Sequence, residues 1–245
     1  MATAARTTKG TAARGAHGKR DEESRIPRLY NGDHLTVEEF ERRYTAMPEG
    51  TKAELIWGVV YMSSPVRRGH GRAHFQLITW LGTYETHTPG LEGGDNLTVR
   101  LAVGLNELQP DACLYLLPGY GGRTQVDEDD YIKGAPELVA EITASTEGFD
   151  LHEKLEAYRQ NGVREYIVWR IADRAIDWFA LRGAEYRRLK LSPDGLYRSK
   201  VFPGLWLDPT ALVAGKRARV LEVVQQGIAS PEHRLFVAKL QVKKK

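Results

Sequence analysis

The sequence predicts an α/β domain with a mixed central β-sheet flanked by helices and a C-terminal β-meander. Three observations predict it. Short apolar segments bounded by Pro, Gly or polar residues recur at 53–62, 111–117, 137–143 and 165–169, as buried strands do. Interleaved with them, residues 71–87 and 150–158 carry apolar side chains at helical spacing. After Trp169 the pattern changes to three short segments, 175–181, 185–191 and 196–202, joined by Arg-Gly and Pro-Asp-Gly turns.

The chain has 245 residues and 42% hydrophobic content, enough for one substantial core. Residues 31–215 read as the domain. Residues 1–30 read as a basic tail with almost no large apolar side chain, which cannot offset the entropy of ordering and is expected to be disordered. Residues 216–245 read as a basic C-terminal helix and tail. Seven Lys/Arg against three Asp/Glu give the first segment +4, and eight against two give the last +6, so with a net charge of +3 the body carries −7. An acidic body with basic ends suits a carboxylate site loaded with a divalent cation and ends that touch phosphate; solvated tails are the plainer reading, and it is the one preferred for Lys243, Lys244 and Lys245. Cys113 is the lone cysteine, which excludes an internal disulfide or a Cys-built zinc site and, inside an apolar strand, reads as an inert buried thiol. No apolar run reaches membrane-spanning length, and the start of the chain lacks the apolar core of a secretory signal. An intracellular, cytoplasmic protein with no membrane partner is expected.

Taken in order, Thr36 reads as a helix N-cap with Glu39 completing a capping box, ahead of Phe40 and Tyr44 and a stop at Pro48. Residues 53–62 read as a strand or a hairpin with Gly58 at a turn or bulge, carrying Glu54. The first long helix places Phe75, Leu77, Ile78, Leu81 and Tyr84 on its apolar face and ends at Pro89-Gly90. Residues 97–103 alternate as a half-exposed strand should, and 104–106 connect it to the strand headed by Pro110-Asp111. The glycines of 119–123 lack P-loop spacing and read as a flexible surface loop. Leu151, Leu155 and Tyr158 share a helix face, with Asn161-Gly162 as its terminal signal and Lys154 one turn before Tyr158. Asp208-Pro209 starts a last helix as N-cap and first residue. Trp57, Trp80, Trp169, Trp178 and Trp206 lie in apolar runs and are expected in the core.

The chemistry lies in Asp111 at the head of one apolar strand, Glu141 at the end of another, and Lys154 on the helix that follows. A carboxylate beside a buried strand loses hydration and recovers it from a partner; a divalent cation is one partner that two carboxylates can share. Singly, Asp111 could cap the turn after Pro110 and Glu141 could pair with an arginine. Together with Lys154 they point to metal-assisted phosphodiester cleavage. His70 and His74 are one helical turn apart without zincin spacing, so His74 reads as a residue near the site or a satisfied core histidine. Arg67, Arg68 and Arg72 form a candidate phosphate-contacting patch, with His74 a further candidate DNA contact, against the default of a solvated face.

The order of elements resembles the PD-(D/E)XK nuclease superfamily and, more closely, the Uma-type family of bacterial putative restriction endonucleases, a former domain of unknown function. The resemblance is carried by residues 35–40, Glu54-Leu55-Ile56-Trp57-Gly58, His74, Pro110-Asp111, 136–141, 154–158 and 162–169, and spans roughly 35–212. It implies a restriction-endonuclease-like fold and a metal-dependent DNA endonuclease, with DNA as partner. It implies Asp111 as the aspartate of the motif, Glu141 as the second acid and Glu54 as an additional one, all able to hold or orient Mg²⁺ or Mn²⁺. The superfamily's lysine stands two residues after the second acid, where this chain has Thr143; in the Uma-type pattern the following helix supplies it, here as Lys154. Two further departures are Ala144-Ser145-Thr146 in place of a Ser-Pro-Ser-like turn and Arg170 in place of a common Asp.

On this reading Lys154 either orients the attacking water or neutralises developing negative charge, and Glu54 binds a second metal or is a surface carboxylate. Tyr158 either donates a hydrogen bond near Lys154 or simply packs. The rival reading is a catalytically impaired DNA-binding or regulatory module on the same fold, and a third is a hydrolase of small phosphoesters. Many nucleases that cut both strands are two-fold dimers, so a homodimer is an open alternative, and nothing in the sequence marks its face.

Overall fold

Thr36 starts the first helix, as its place ahead of Val37, Glu38 and Glu39 requires. In the structure, a computed structural model describing residues 26–143 and 149–243, its hydroxyl accepts from the Glu39 amide at 3.3 Å at the head of α1 (Val37–Thr45). Only half of the expected capping box forms. The Glu39 carboxylate turns to Arg43 Nε at 2.6 Å and Arg42 Nε at 2.7 Å, because two guanidiniums on the next turn attract it more than one backbone amide. Most of the tail expected to be disordered, residues 1–25, and the turn at 144–146 lie outside the described residues.

The segment 53–62 is a hairpin of β1 (Ala53–Ile56) and β2 (Val59–Met62). Its two-residue turn, Trp57-Gly58, has φ of 53° and 78°, the pair of positive values that a type I′ turn needs. Gly58 adopts this freely, whereas Trp57 is a bulky residue in a left-handed conformation. Surrounding bonds hold it there: the Trp57 amide donates to Asn106 Oδ1 at 2.8 Å and its indole Nε1 to the Glu153 carbonyl at 3.3 Å.

Helix α2 (Arg68–Glu85) buries Ala73, Leu77, Trp80, Leu81 and Tyr84. Phe75, expected on the apolar face, is 65% exposed. At 100° per residue it stands about 200° round the helix from Ala73, so the stripe set by Ala73, Leu77, Trp80 and Tyr84 leaves it on the far side.

Among the described residues ten strands and one α-helix follow through residue 188: β3 (Leu91–Asp95), β4 (Val99–Leu101), β5 (Asn106–Leu108), β6 (Ala112–Leu116), β7 (Gln125–Val126), β8 (Ile132–Lys133), β9 (Leu138–Thr143), α3 (Phe149–Gln160), β10 (Glu165–Arg170), β11 (Ala175–Arg182) and β12 (Glu185–Arg188). Among the described residues these join the hairpin in two six-stranded mixed sheets, ordered β2-β1-β5-β4-β8-β7 and β12-β11-β10-β9-β6-β3. Strands β3, β7 and β8 were not legible in the sequence: Leu91-Glu92-Gly93-Gly94-Asp95 carries two glycines, and the other two are two residues long. β9 and β10 are parallel, with α3 as their crossover, while β6 and β9 are antiparallel with Ala112 opposite Ala140.

The meander ends at β12. Residues 196–202 do not extend it: β13 (Tyr197–Arg198) pairs with β14 (Trp206–Leu207) in a separate ribbon, since the chain reverses at Pro203-Gly204. Asp208 caps α4 (Pro209–Val213), its Oδ1 accepting from the Ala211 amide at 2.8 Å. That helix is not the last, for α5 (Arg217–Ile228) and α6 (Pro231–Lys243) follow and place Val220, Val224 and Leu240 in the core.

Two apolar layers enclose the second sheet. Ala112, Leu114, Leu138 and Ala140 face α2 and the C-terminal helices. Cys113, Tyr115, Val139 and Val168 face the first sheet and α3, by the two-residue alternation of a strand. Cys113 is buried, and burial pushes its thiol up to about 12. Trp80, Trp169 and Trp178 are core residues. Trp57 and Trp206 are half-buried instead, the first on its turn and the second beneath the Arg198 guanidinium at 4.3 Å. Among the described residues no helix is long and apolar enough to cross a membrane.

Candidate active site

The antiparallel register that sets Ala112 against Ala140 brings Asp111 opposite Glu141, on the sheet face turned toward α3 and the first sheet. Asp111 caps the margin of both strands: its Oδ2 accepts from the Ile142 amide at 2.7 Å. Its Oδ1 lies 3.0 Å from His70 Nε2. Burial pushes the Asp111 carboxyl up, but the His70 hydrogen bond and charge and the Ile142 amide outweigh it and hold the group below its ordinary value. The same contact holds His70 above its ordinary value.

Three elements deliver the rest. β1 brings Glu54, whose Oε1 accepts from the Gln109 amide at 2.7 Å, one residue ahead of Pro110. β9 brings Glu141. Helix α3 brings Lys154, whose Nζ lies 2.9 Å from Glu54 and 3.0 Å from Glu141 Oε1. One turn further, the Tyr158 hydroxyl donates to the same Glu141 oxygen at 2.8 Å. Lys154 is 8% exposed, so its ammonium has exchanged water for carboxylates. Burial alone would lower its pKa; the charges of Glu141 and Glu54 reverse that and raise it. Burial raises the Glu141 carboxyl, Lys154 opposes the rise, and Asp111 and Glu54 add to it. Three carboxylates therefore share one ammonium and one imidazole, and the cluster keeps an attraction for positive charge.

The structure thus brings together Glu54, Asp111, Glu141 and Lys154, with Tyr158 beside them. His74, read in sequence as a candidate DNA contact, has its Nε2 2.6 Å from the Asp111 carbonyl and 3.1 Å from Asp95 Oδ1. Both partners are acceptors, so that nitrogen carries a proton. Arg67, Arg68 and Arg72 are exposed on the first turns of α2. Thr143 lies in β9 opposite Arg170, and Arg170 is bound to Asp177 at 2.7 Å, a structural ion pair. Sequence reasoning gave no role to His70 or Asp95. The four-residue spacing of His70 and His74 put both on one face of α2; which strand end that face meets is a long-range fact.

Among the described residues no three His, Cys, Asp or Glu side chains converge as a cage for a metal ion. The donor set fits a different mode. Mg²⁺ is commonly held by one or two carboxylates with waters and substrate phosphate completing its shell, and Asp111 and Glu141 supply two hard-oxygen groups facing each other.

The model of the Uma2 family, described as putative restriction endonuclease, matches residues 37–210. No curated protein matches the chain. A crystal structure of a putative nuclease belonging to DUF820, from Anabaena variabilis, is similar with a TM-score of 0.55 at 14% identity, over 73% of this chain and 99% of that one. At that identity the likeness bears on the fold, and it is the fold of a putative nuclease.

Proposed function

Because the chain belongs to the Uma2 family of putative restriction endonucleases, we propose that it is a Mg²⁺- or Mn²⁺-dependent DNA endonuclease with Asp111, Glu141 and Lys154 at its reacting centre. One observation carries this reading: the Lys154 ammonium reaches Glu141 Oε1 at 3.0 Å from a helix, thirteen residues along the chain, and so fills the role that Thr143 leaves open. A long lysine stem allows the same point to be reached from another backbone position.

Asp111 and Glu141 would hold the cation. When bound, it lowers the pKa of a coordinated water and offsets charge on the attacked phosphate. The other roles belong to the chain. Glu54 keeps Lys154 charged and aimed between the acids, Tyr158 fixes the rotamer of Glu141, and His70 fixes that of Asp111. The Lys154 ammonium donates to the attacking oxygen or to the phosphate oxygen that gains charge. Exposed Arg67, Arg68 and Arg72 would bind the strand's phosphates and set its register.

The test is conversion of supercoiled plasmid across Mg²⁺ and Mn²⁺ concentrations, beside Asp111→Asn, Glu141→Gln and Lys154→Met. Cleavage that requires metal and is lost in all three variants is the expected result. Lys154 closed between two glutamates favours one rival, a DNA-binding module without turnover. Wild-type protein that binds DNA equally with and without Mg²⁺, and never cuts it, would establish that rival.

A further inference from the structure

Helix α2 inverts an ordinary choice at two neighbouring positions. Phe75 is 65% exposed while Gln76 is 6% exposed. The buried amide is only half satisfied: Nε2 donates to the Arg72 carbonyl at 3.2 Å, and Oε1 has no donor among the described residues. Both features work against stability, since an exposed phenyl ring forfeits apolar burial and an unmet acceptor keeps its desolvation cost. An apolar residue at 76 and a polar one at 75 would remove both.

The two residues line one cavity of about 340 Å³ between α2 and α5, with Leu212 and Val220 in its wall and Arg217 among its lining groups. That volume falls in the range of small-ligand sites. No acidic side chain lines it. α5 begins at Arg217; its N-cap Lys216 makes no side-chain capping bond and its first turn carries no acidic residue.

Such a groove suits a ligand with a planar ring to lie on Phe75, an anionic group for Arg217 and, once the Gln76 amide turns outward from its sealed position, an N–H for its Oε1. We infer that it holds an unstacked nucleobase with its phosphate, either a base turned out of a DNA strand or a free nucleotide. The inference rests on the nucleic-acid reading above and adds a recognition site on a different face of α2 from His70 and His74.

The experiment is calorimetric titration of the full chain in EDTA with three probes: deoxyadenosine monophosphate, deoxyribose 5-phosphate, and a short single-stranded oligonucleotide. Nucleotide or strand is expected to bind about tenfold more tightly than the sugar phosphate, and Phe75→Ala and Gln76→Leu each to weaken it about tenfold with no fall in melting temperature. Binding of the strand alone assigns the base to DNA; binding of the mononucleotide as well assigns a free-nucleotide site. The proposal is overturned if the wild type binds neither, if both variants bind as the wild type does, or if the sugar phosphate binds as well as the nucleotide. Because EDTA removes cleavage from the readout, a protein that binds in this way and never cuts DNA sinks the nuclease reading alone. One that cuts DNA and fails here sinks this inference alone.

Discussion

Tyr158 and Lys154 converge on a single oxygen, Glu141 Oε1, the hydroxyl at 2.8 Å and the ammonium at 3.0 Å. They lie one turn apart on α3, so the rigidity of one helix sets both distances. A carboxylate held by two donors from one rigid element has a single rotamer, and its second oxygen is thereby aimed.

Tyr158→Phe removes the hydroxyl and keeps the ring packed against Tyr166, 5.1 Å between centroids. The expected loss is about 1–2 kcal/mol in urea unfolding. Under the nuclease reading kcat falls about tenfold with KM little changed. A kcat equal to that of the wild type would leave Tyr158 as packing only.

Lys154→Met leaves Glu54 and Glu141 buried with no cation between them. Removing one member of a buried ion cluster costs about 3–5 kcal/mol, and adding Glu54→Gln and Glu141→Gln to the same chain should recover part of it. Urea midpoints of the three proteins measure this. A single variant as stable as the wild type would mean that the cluster does not form in solution.

Under the metal reading, Mg²⁺ bound to the folded chain at Asp111 and Glu141 should raise its stability by about 2.7 kcal/mol at a hundredfold excess over Kd. Thermal melting in Mg²⁺ and in EDTA reads the gain, which should vanish in Asp111→Asn and in Glu141→Gln. An equal gain in those variants would put the ion elsewhere.

Glu165 gives a pH dependence away from the site. Its carboxylate is buried, accepting from the Ser199 hydroxyl and the Lys200 amide, each at 2.6 Å. Burial, only partly opposed by those bonds, pushes it from 4.5 to about 7. Between those values the folded chain keeps a proton that the unfolded chain has released. Stability therefore falls as pH rises through the window, by about 3 kcal/mol at most. Glu165→Gln should flatten the profile there, as melting temperatures at pH 4.5 and pH 7.5 would reveal; an unchanged slope would assign it to other groups.

Much of the site could be read from the chain because its parts stand at element margins. Pro110-Asp111 heads one apolar run and Glu141 interrupts another near its end, and those runs are neighbouring strands whose antiparallel register sets the two acids face to face. Thr36 and Asp208 announced their helices through local bonds alone. What could not be read depended on distant partners. Periodicity counts hydrophobic residues and not the sheet they meet, so it assigns Phe75 to the apolar face and gives no signal at Gln76. Residues 196–202 have strand character, and only Trp206 and Leu207 across the ribbon decide which strand they join. His70 and Asp95 needed the strand ends in place before either had a partner.

The contact between Glu54 and Lys154 spans one hundred residues of sequence. Closing so large a loop costs entropy that local structure cannot repay, so the contact waits for the hairpin that carries Glu54 to dock on the helix that carries Lys154. A partly folded chain, or a fragment lacking the hairpin, has Lys154 and Glu141 without Glu54. Under the nuclease reading, in which Glu54 keeps Lys154 charged and aimed, competence should then arrive only with the completed tertiary structure, and a nascent chain still emerging from synthesis should be harmless to nucleic acid around it.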